Sequence, residues 1–137
     1  MSDGFSIEEM NIGQTASMSK TVTEADIILF AGITGDFNPA HIDEEYAQNS
    51  MFKGRIAHGM LSAGFISATL AMKLPGPGTI YLSQSMKFKA PVRIGDTVKT
   101  TVTVTDINID KKIVKLDTVC SVAGKPVVTG DCTMMKP

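Results

Sequence analysis

With only two cysteines, two histidines and a net charge of −1 in 137 residues, the chain has little material for several common chemistries. Near-balanced charge leaves no electrostatic footprint for nucleic acid or an acidic membrane surface, although a small anionic ligand needs only a local patch. Two histidines and two scattered cysteines do not make a metal site by spacing. No basic N-terminal stretch leads into an apolar run, so no signal peptide is expected. Cys120 and Cys132 are then expected as reduced, buried thiols in strand-like segments of a cytoplasmic protein. The longest apolar-rich run, residues 59–74, is interrupted by serines, Thr69 and Lys73 and is too short and mixed to span a bilayer comfortably. A phosphate loop is missing too, since the glycines of LPGPGT (residues 74–79) lack its flanks. Neither Ser62 nor Ser67 lies in the G-x-S-x-G elbow of a serine nucleophile. No cofactor, metal, nucleic acid or membrane is therefore expected as a partner.

What is present reads as one soluble domain over residues 1–137, with 43% apolar and 20% charged residues. Residues 1–12 are mixed and are expected to be poorly ordered. A strand is expected over residues 13–22. TEAD (residues 23–26) then offers a Thr23 cap with Asp26 three residues on, resembling a capping box. Ile27, Phe30, Ala31 and Thr34 recur at helical spacing, and Gly35 is a cheap stop. A loop, GDFNPAHID (residues 35–43), follows, and Asp43 caps a short helix ending near Gln48. Residues 58–74 run almost continuously apolar, as in a helix buried on most sides, with small residues that allow close approach.

The remainder alternates with period two. Ile80, Leu82, Met86 and Phe88 form one apolar face, with Gln84 as its polar exception. Val98, Val102 and Val104, then Val114, Leu116, Cys120 and Val122, then Val128, Cys132 and Met134 continue the pattern. Turns fall at residues 108–110 and 123–124. One apolar face per strand argues an antiparallel sheet covered on one side. The fold class is α+β, a curved antiparallel sheet around one central helix.

Three places carry polar groups that packing does not demand. Asp36 and His41 bracket Asn38–Pro39, and proline restrains itself and the residue before it, so the pair can be held at a set separation. A carboxylate and an imidazole can polarise a water together. Spacing alone favours the plainer account, a turn-capping aspartate and a hydrogen-bonding histidine. Gly59 starts the buried helix, where free N–H groups suit an oxyanion or thioester carbonyl; the plainer account is close packing at Gly59 and capping by His58. Gln84 either finds a buried partner or lines a polar pocket.

Together, FAGITGDFNPAHIDEEYA, RIAHGML and LPGPGTIYLSQSMKFKAPVRIGDTV resemble the MaoC-like hydratases, specifically the (R)-specific enoyl-CoA hydratases. The similarity runs from about Gly13 to the C-terminus. It implies a hot-dog fold and a homodimer with active sites at the interface. It also implies reversible hydration of a trans-2-enoyl-CoA to the (R)-3-hydroxyacyl-CoA. By the resemblance, Asp36 and His41 flank the attacking water, the Gly59 amide donates to the thioester carbonyl, and Asn38 and Pro39 shape the loop. Ser67, Leu70 and Gln84 become candidates for the acyl pocket, and Lys53, Arg55 and Lys89 for the CoA phosphates. Two alternatives share the fold: an acyl-CoA thioesterase, and a non-catalytic acyl-CoA-binding module.

Overall fold

Each secondary element starts or stops where local chemistry says it should. The structure, a computed structural model, describes residues 4–137. Strand β1 (Thr15–Thr21) leads into helix α1 (Glu24–Thr34). Thr23 Oγ1 accepts from the Asp26 amide, and the Asp26 carboxylate accepts from the Thr23 amide, closing the expected capping box. Helices α2 (Pro39–Ile42), α3 (Glu44–Gln48) and α4 (Gly59–Met72) follow. Four strands complete the chain: β2 (Ile80–Phe88), β3 (Thr97–Asn108), β4 (Ile113–Val122) and β5 (Lys125–Met135).

All five strands form one antiparallel sheet in the order β1-β3-β4-β5-β2. Helix α4 lies across β3 and also touches β1 and β4. Ser62, Ile66, Thr69 and Leu70 recur at helical spacing and are its buried residues. Ile66 and Leu70 meet Val98, Val102, Leu116 and Cys120, whose side chains share one sheet face by period-two alternation. Thr69 is satisfied inside this core because its hydroxyl donates to the Phe65 carbonyl at 2.8 Å.

Three expectations change. Segment 4–12 is not loose: Ile7 and Met10 are core residues, and the Phe5 amide donates to the Pro75 carbonyl at 2.9 Å. Two apolar side chains on one turn tie down a segment whose overall composition is polar. Met1, Ser2 and Asp3 lie outside the described residues. Helix α4 is buried on one side only within the chain; Met60, Gly64, Ala71 and Met72 face outward because the sheet covers a single flank. The expected apolar row of β2 is also broken: a bulge between Tyr81 and Ser83 puts Ile80, paired with Met135, on the opposite face from Met86 and Phe88, and Ile80, Leu82 and Phe88 are each about half exposed.

Both cysteines are free and buried, as expected. Burial pushes the Cys132 thiol up to about 12 and raises Cys120 as well. Thiolate is the reactive form. Iodoacetamide at pH 8 is therefore expected to leave both unmodified in the native protein and to label both in denaturant, read by intact mass. Rapid native labelling of either would contradict the burial.

Candidate functional site

The site is assembled from two short segments that meet at the start of α4. Helix α1 ends in Gly35, whose φ of 84° is a left-handed conformation glycine adopts without strain. The chain then runs through a series of side-chain-closed turns. The Asp36 amide donates to Thr34 Oγ1 at 3.1 Å, and Asp36 Oδ1 accepts from the Asn38 amide at 3.1 Å. Asn38 Oδ1 in turn accepts from the Ala40 amide at 3.0 Å. The segment expected as a plain loop thus contains a helical turn, α2, with Asn38 as its cap and Pro39 in its first turn. That turn carries His41.

His41 Nδ1 lies 2.8 Å from the Ile56 carbonyl. A carbonyl only accepts, so Nδ1 carries the proton and, in the neutral ring, Nε2 keeps a lone pair. Arg55 holds the same turn from behind. Its Nε donates to the His41 carbonyl at 2.7 Å, and its two terminal nitrogens grip the Glu24 carboxylate at 2.8 and 3.0 Å. Arg55 thereby joins α2 to α1, and its guanidinium is committed there. Of the other candidate phosphate ligands, Lys89 lines a cavity beside the site, whereas Lys53 lies in an exposed turn with φ of 59°.

His58 is the residue that sequence reasoning undervalued. It precedes α4 but makes no side-chain cap to it. Its ring is 2% exposed, and Nε2 lies 2.9 Å from the main-chain carbonyl of Asp36. The His41 ring stacks on it, with centroids 4.0 Å apart and planes at 28°. Phe30 covers it at 4.8 Å. The available signal was composition: both histidines of the chain sit in the two segments already suspected.

Asp36, His41 and His58 each offer a polar atom, and these lie within 4.8 Å of one another. Three points no farther apart than 4.8 Å have a common point at most about 2.8 Å from each, an ordinary hydrogen-bond length. Tetrahedral zinc draws its ligand atoms closer, to roughly 3.3 Å apart, given Zn–N bonds of about 2.0 Å.

Gly59, the first residue of α4, is exposed beside this triangle, and its N–H belongs to the first turn, which has no carbonyl inside the helix to bond. A Cβ at Gly59 would come within 2.7 Å of the Phe88 ring, so any larger residue there would have to push that half-exposed ring aside. A cavity of about 540 Å³ opens here, lined by His41, His58, Gly59, Met60, Phe88 and Lys89 among others. A second, of about 460 Å³, lies between the open face of α4 and β2, and Met60 borders both. Ser67 and Gln84 line the second cavity. Leu70, expected with them, lines neither; it is fully buried in the core because it faces the sheet. Gln84 has also found partners: Nε2 donates to the Ser85 carbonyl and to Thr118 Oγ1, each at 2.9 Å, and the Tyr81 hydroxyl donates to Oε1. Burial holds the Tyr81 phenol up at about 12, so it remains a donor across the physiological range.

The architecture is that of the hot-dog fold. The unliganded R-hydratase PhaJ1 from Pseudomonas aeruginosa superimposes with a TM-score of 0.92 and 44% identity, covering 98% of this chain and 86% of that one. The (R)-hydratase from Aeromonas caviae involved in PHA biosynthesis superimposes with a TM-score of 0.91 and 40% identity, covering 95% and 99%. The family follows from sequence: residues 8–131 match the MaoC like domain, and the chain belongs to that family. The (R)-specific enoyl-CoA hydratase of Rhodospirillum rubrum is 62% identical over 130 residues, 95% of this chain and 90% of that protein. The 3-hydroxybutyryl-CoA dehydratase of Methylorubrum extorquens is 42% identical over 130 residues, 95% and 83%. Among the described residues, no helix is long and apolar enough to cross a membrane.

Proposed function

We propose that this chain is an (R)-specific enoyl-CoA hydratase, adding water reversibly across a trans-2-enoyl-CoA to give the (R)-3-hydroxyacyl-CoA. The observation that carries the reading is the polar triangle of Asp36, His41 and His58 beside the first amide of α4. Addition of hydroxide to C3 pushes electron density onto the thioester oxygen, leaving an enolate that must gain a proton at C2. The amide of Gly59, reinforced by the positive end of α4, is oriented to stabilise that oxygen; losing one such donor typically costs roughly 3–4 kcal/mol. Asp36 and His41 supply the proton handling. One accepts the proton of the attacking water, and the pair returns a proton to C2 from the same side. His41 enters with its Nε2 lone pair available because Ile56 engages Nδ1. The chemistry calls for no metal and no cofactor beyond the CoA of the substrate.

The reading includes a cytoplasmic homodimer with active sites at its interface. The half-exposed apolar side chains of Ile80, Leu82 and Phe88 on an edge strand support it, since docking of a second chain there would cover them. The open face of α4 and the second cavity lie next to that edge.

Crotonyl-CoA tests the activity. Loss of the conjugated-enoyl absorbance without release of free thiol is expected, with an R product on chiral analysis. Thiol release would instead indicate a thioesterase, binding with neither change a non-catalytic module, and a predominantly S product would defeat the stereochemical assignment.

A further inference from the structure

We infer that His58 is a positioning residue of this site, holding the Asp36 segment by its main chain and the His41 ring by its face. The inference rests on the hydratase reading. Three features of His58 carry it. Its Nε2–H donates to the carbonyl of Asp36 itself, at 2.9 Å, not to the carboxylate. Its ring lies under that of His41, 4.0 Å between centroids. Its Nδ1 is buried with no hydrogen-bond partner among the described residues.

The first contact sets where the Asp36 turn, with its carboxylate oriented locally by the Asn38 amide, sits relative to α4. Residues 35–38 are exposed and tied mainly to one another, the Phe37 amide donating to the Gly35 carbonyl at 3.2 Å and the Asn38 amide to Asp36 Oδ1, so the segment needs a contact that fixes it to the rest of the site. The His58 bond holds the Asp36 carbonyl from a ring fixed at the start of α4, the same point that places the Gly59 amide. One residue therefore references the carboxylate and the carbonyl-binding amide to each other. Displacements near 1 Å of a catalytic group can cost about 100-fold in rate. The second contact does the same for His41, whose other restraint is the Ile56 carbonyl. A stacked face stops the imidazole from tilting about that single hydrogen bond.

The third feature argues against a purely structural role. With the proton on Nε2, Nδ1 is a buried acceptor that no protein group among the described residues satisfies, a cost for a side chain selected only to pack. Phenylalanine would fill the same space between Phe30 and His41 without that cost. Packing alone therefore does not select histidine here. A donor at the Nε2 position does.

Two variants separate face from donor. His58→Phe keeps a ring and loses the N–H; His58→Gln loses the ring but can place an amide N–H near the Nε2 position. With crotonyl-CoA, His58→Phe is expected to lower kcat about 30–100-fold while KM stays within about threefold and the melting temperature does not fall. His58→Gln is expected to recover at least tenfold of that kcat despite packing less well. Nitrogen-15 NMR of the wild-type protein is expected to show His58 as the Nε2–H tautomer, a readout that remains if His58→Phe does not fold. Wild-type kcat in His58→Phe, or equal losses in both folded variants, would overturn the inference. So would the Nδ1–H tautomer, or a Gln variant as inactive as an unfolded control. Wild-type protein that does not hydrate crotonyl-CoA would be a different failure, that of the hydratase reading itself, visible before any variant is made.

Discussion

Asp36→Asn is expected to lower kcat for enoyl-CoA hydration by about 10²–10⁴-fold, with the melting temperature within a few degrees of wild type. The substitution is chosen for what it keeps. Asp36 Oδ1 accepts from the Asn38 amide, and the amide oxygen of asparagine can do the same, so the turn into α2 survives. The carboxylate's basicity and charge do not. Because Asp36 is exposed in the chain, no buried charge is removed and little stability is at stake. Asp36→Ala is expected to be equally slow but slightly less stable, having lost the turn contact. His41→Ala is expected to lose a similar factor in kcat. It also gives up the Ile56 hydrogen bond and the His58 stack, so its melting temperature should fall where that of Asp36→Asn does not. The measurement is kcat and KM on crotonyl-CoA alongside thermal melts. An Asp36→Asn enzyme retaining more than a tenth of wild-type kcat would remove Asp36 from proton handling.

The parts of this site that could be read from the sequence are those built by near neighbours. Thr23 with Asp26 and Asp43 with Tyr46 are contacts three residues apart, and each fixes a helix start that the residue types announce; Asn38 with Ala40 is as local, but its short turn reads as loop. The suspicion about Asp36 and His41 rested on the same locality, with proline stiffening the segment between them. The role of His58 was not readable that way. Its partners, the Asp36 carbonyl and the His41 ring, are 22 and 17 residues away, and the second is set by how α2 packs. Adjacent to a helix start, a histidine reads first as a cap.

Burial showed the same division. Alternation identified the core face of β3 and β4 correctly because those strands are central. It assigned β2 the same way, yet the bulge between Tyr81 and Ser83 shifts the register and moves Ile80 to the face opposite Met86 and Phe88, which a strict period of two does not foresee. Ser67 and Leu70 were paired as pocket residues; three positions along a helix leave them only about 60° apart, but the border between the open and sheet-covered flanks of α4 falls between them, with Ser67 on the cavity and Leu70 in the core.

Gly130→Ala is expected to destabilise the protein by about 3 kcal/mol, the upper end for overpacking, and to lower its melting temperature by roughly 10 °C. Gly130 lies mid-strand in β5, paired with Met86 on β2 and Thr118 on β4. An added Cβ would fall 1.9 Å from the Ser85 carbonyl oxygen, 2.8 Å from its carbon and 3.1 Å from Met86 Cα. All three are backbone atoms, so no side-chain rotation relieves the clash and β2 itself must move. That strand carries Gln84 into the second cavity and Phe88 against Gly59 in the first. Activity should therefore fall further than the unfolded fraction explains, mainly through KM as the cavities distort. Gly32→Ala is the matched control. It sits in α1 with nothing within 4 Å of the added methyl, where replacing glycine in a helix gains about 0.5–1 kcal/mol. Opposite shifts in melting temperature from the two glycine-to-alanine changes are the expected result. A Gly130→Ala protein melting within 2 °C of wild type, about the shift of a small surface change, would mean that β2 does not approach β5 as described.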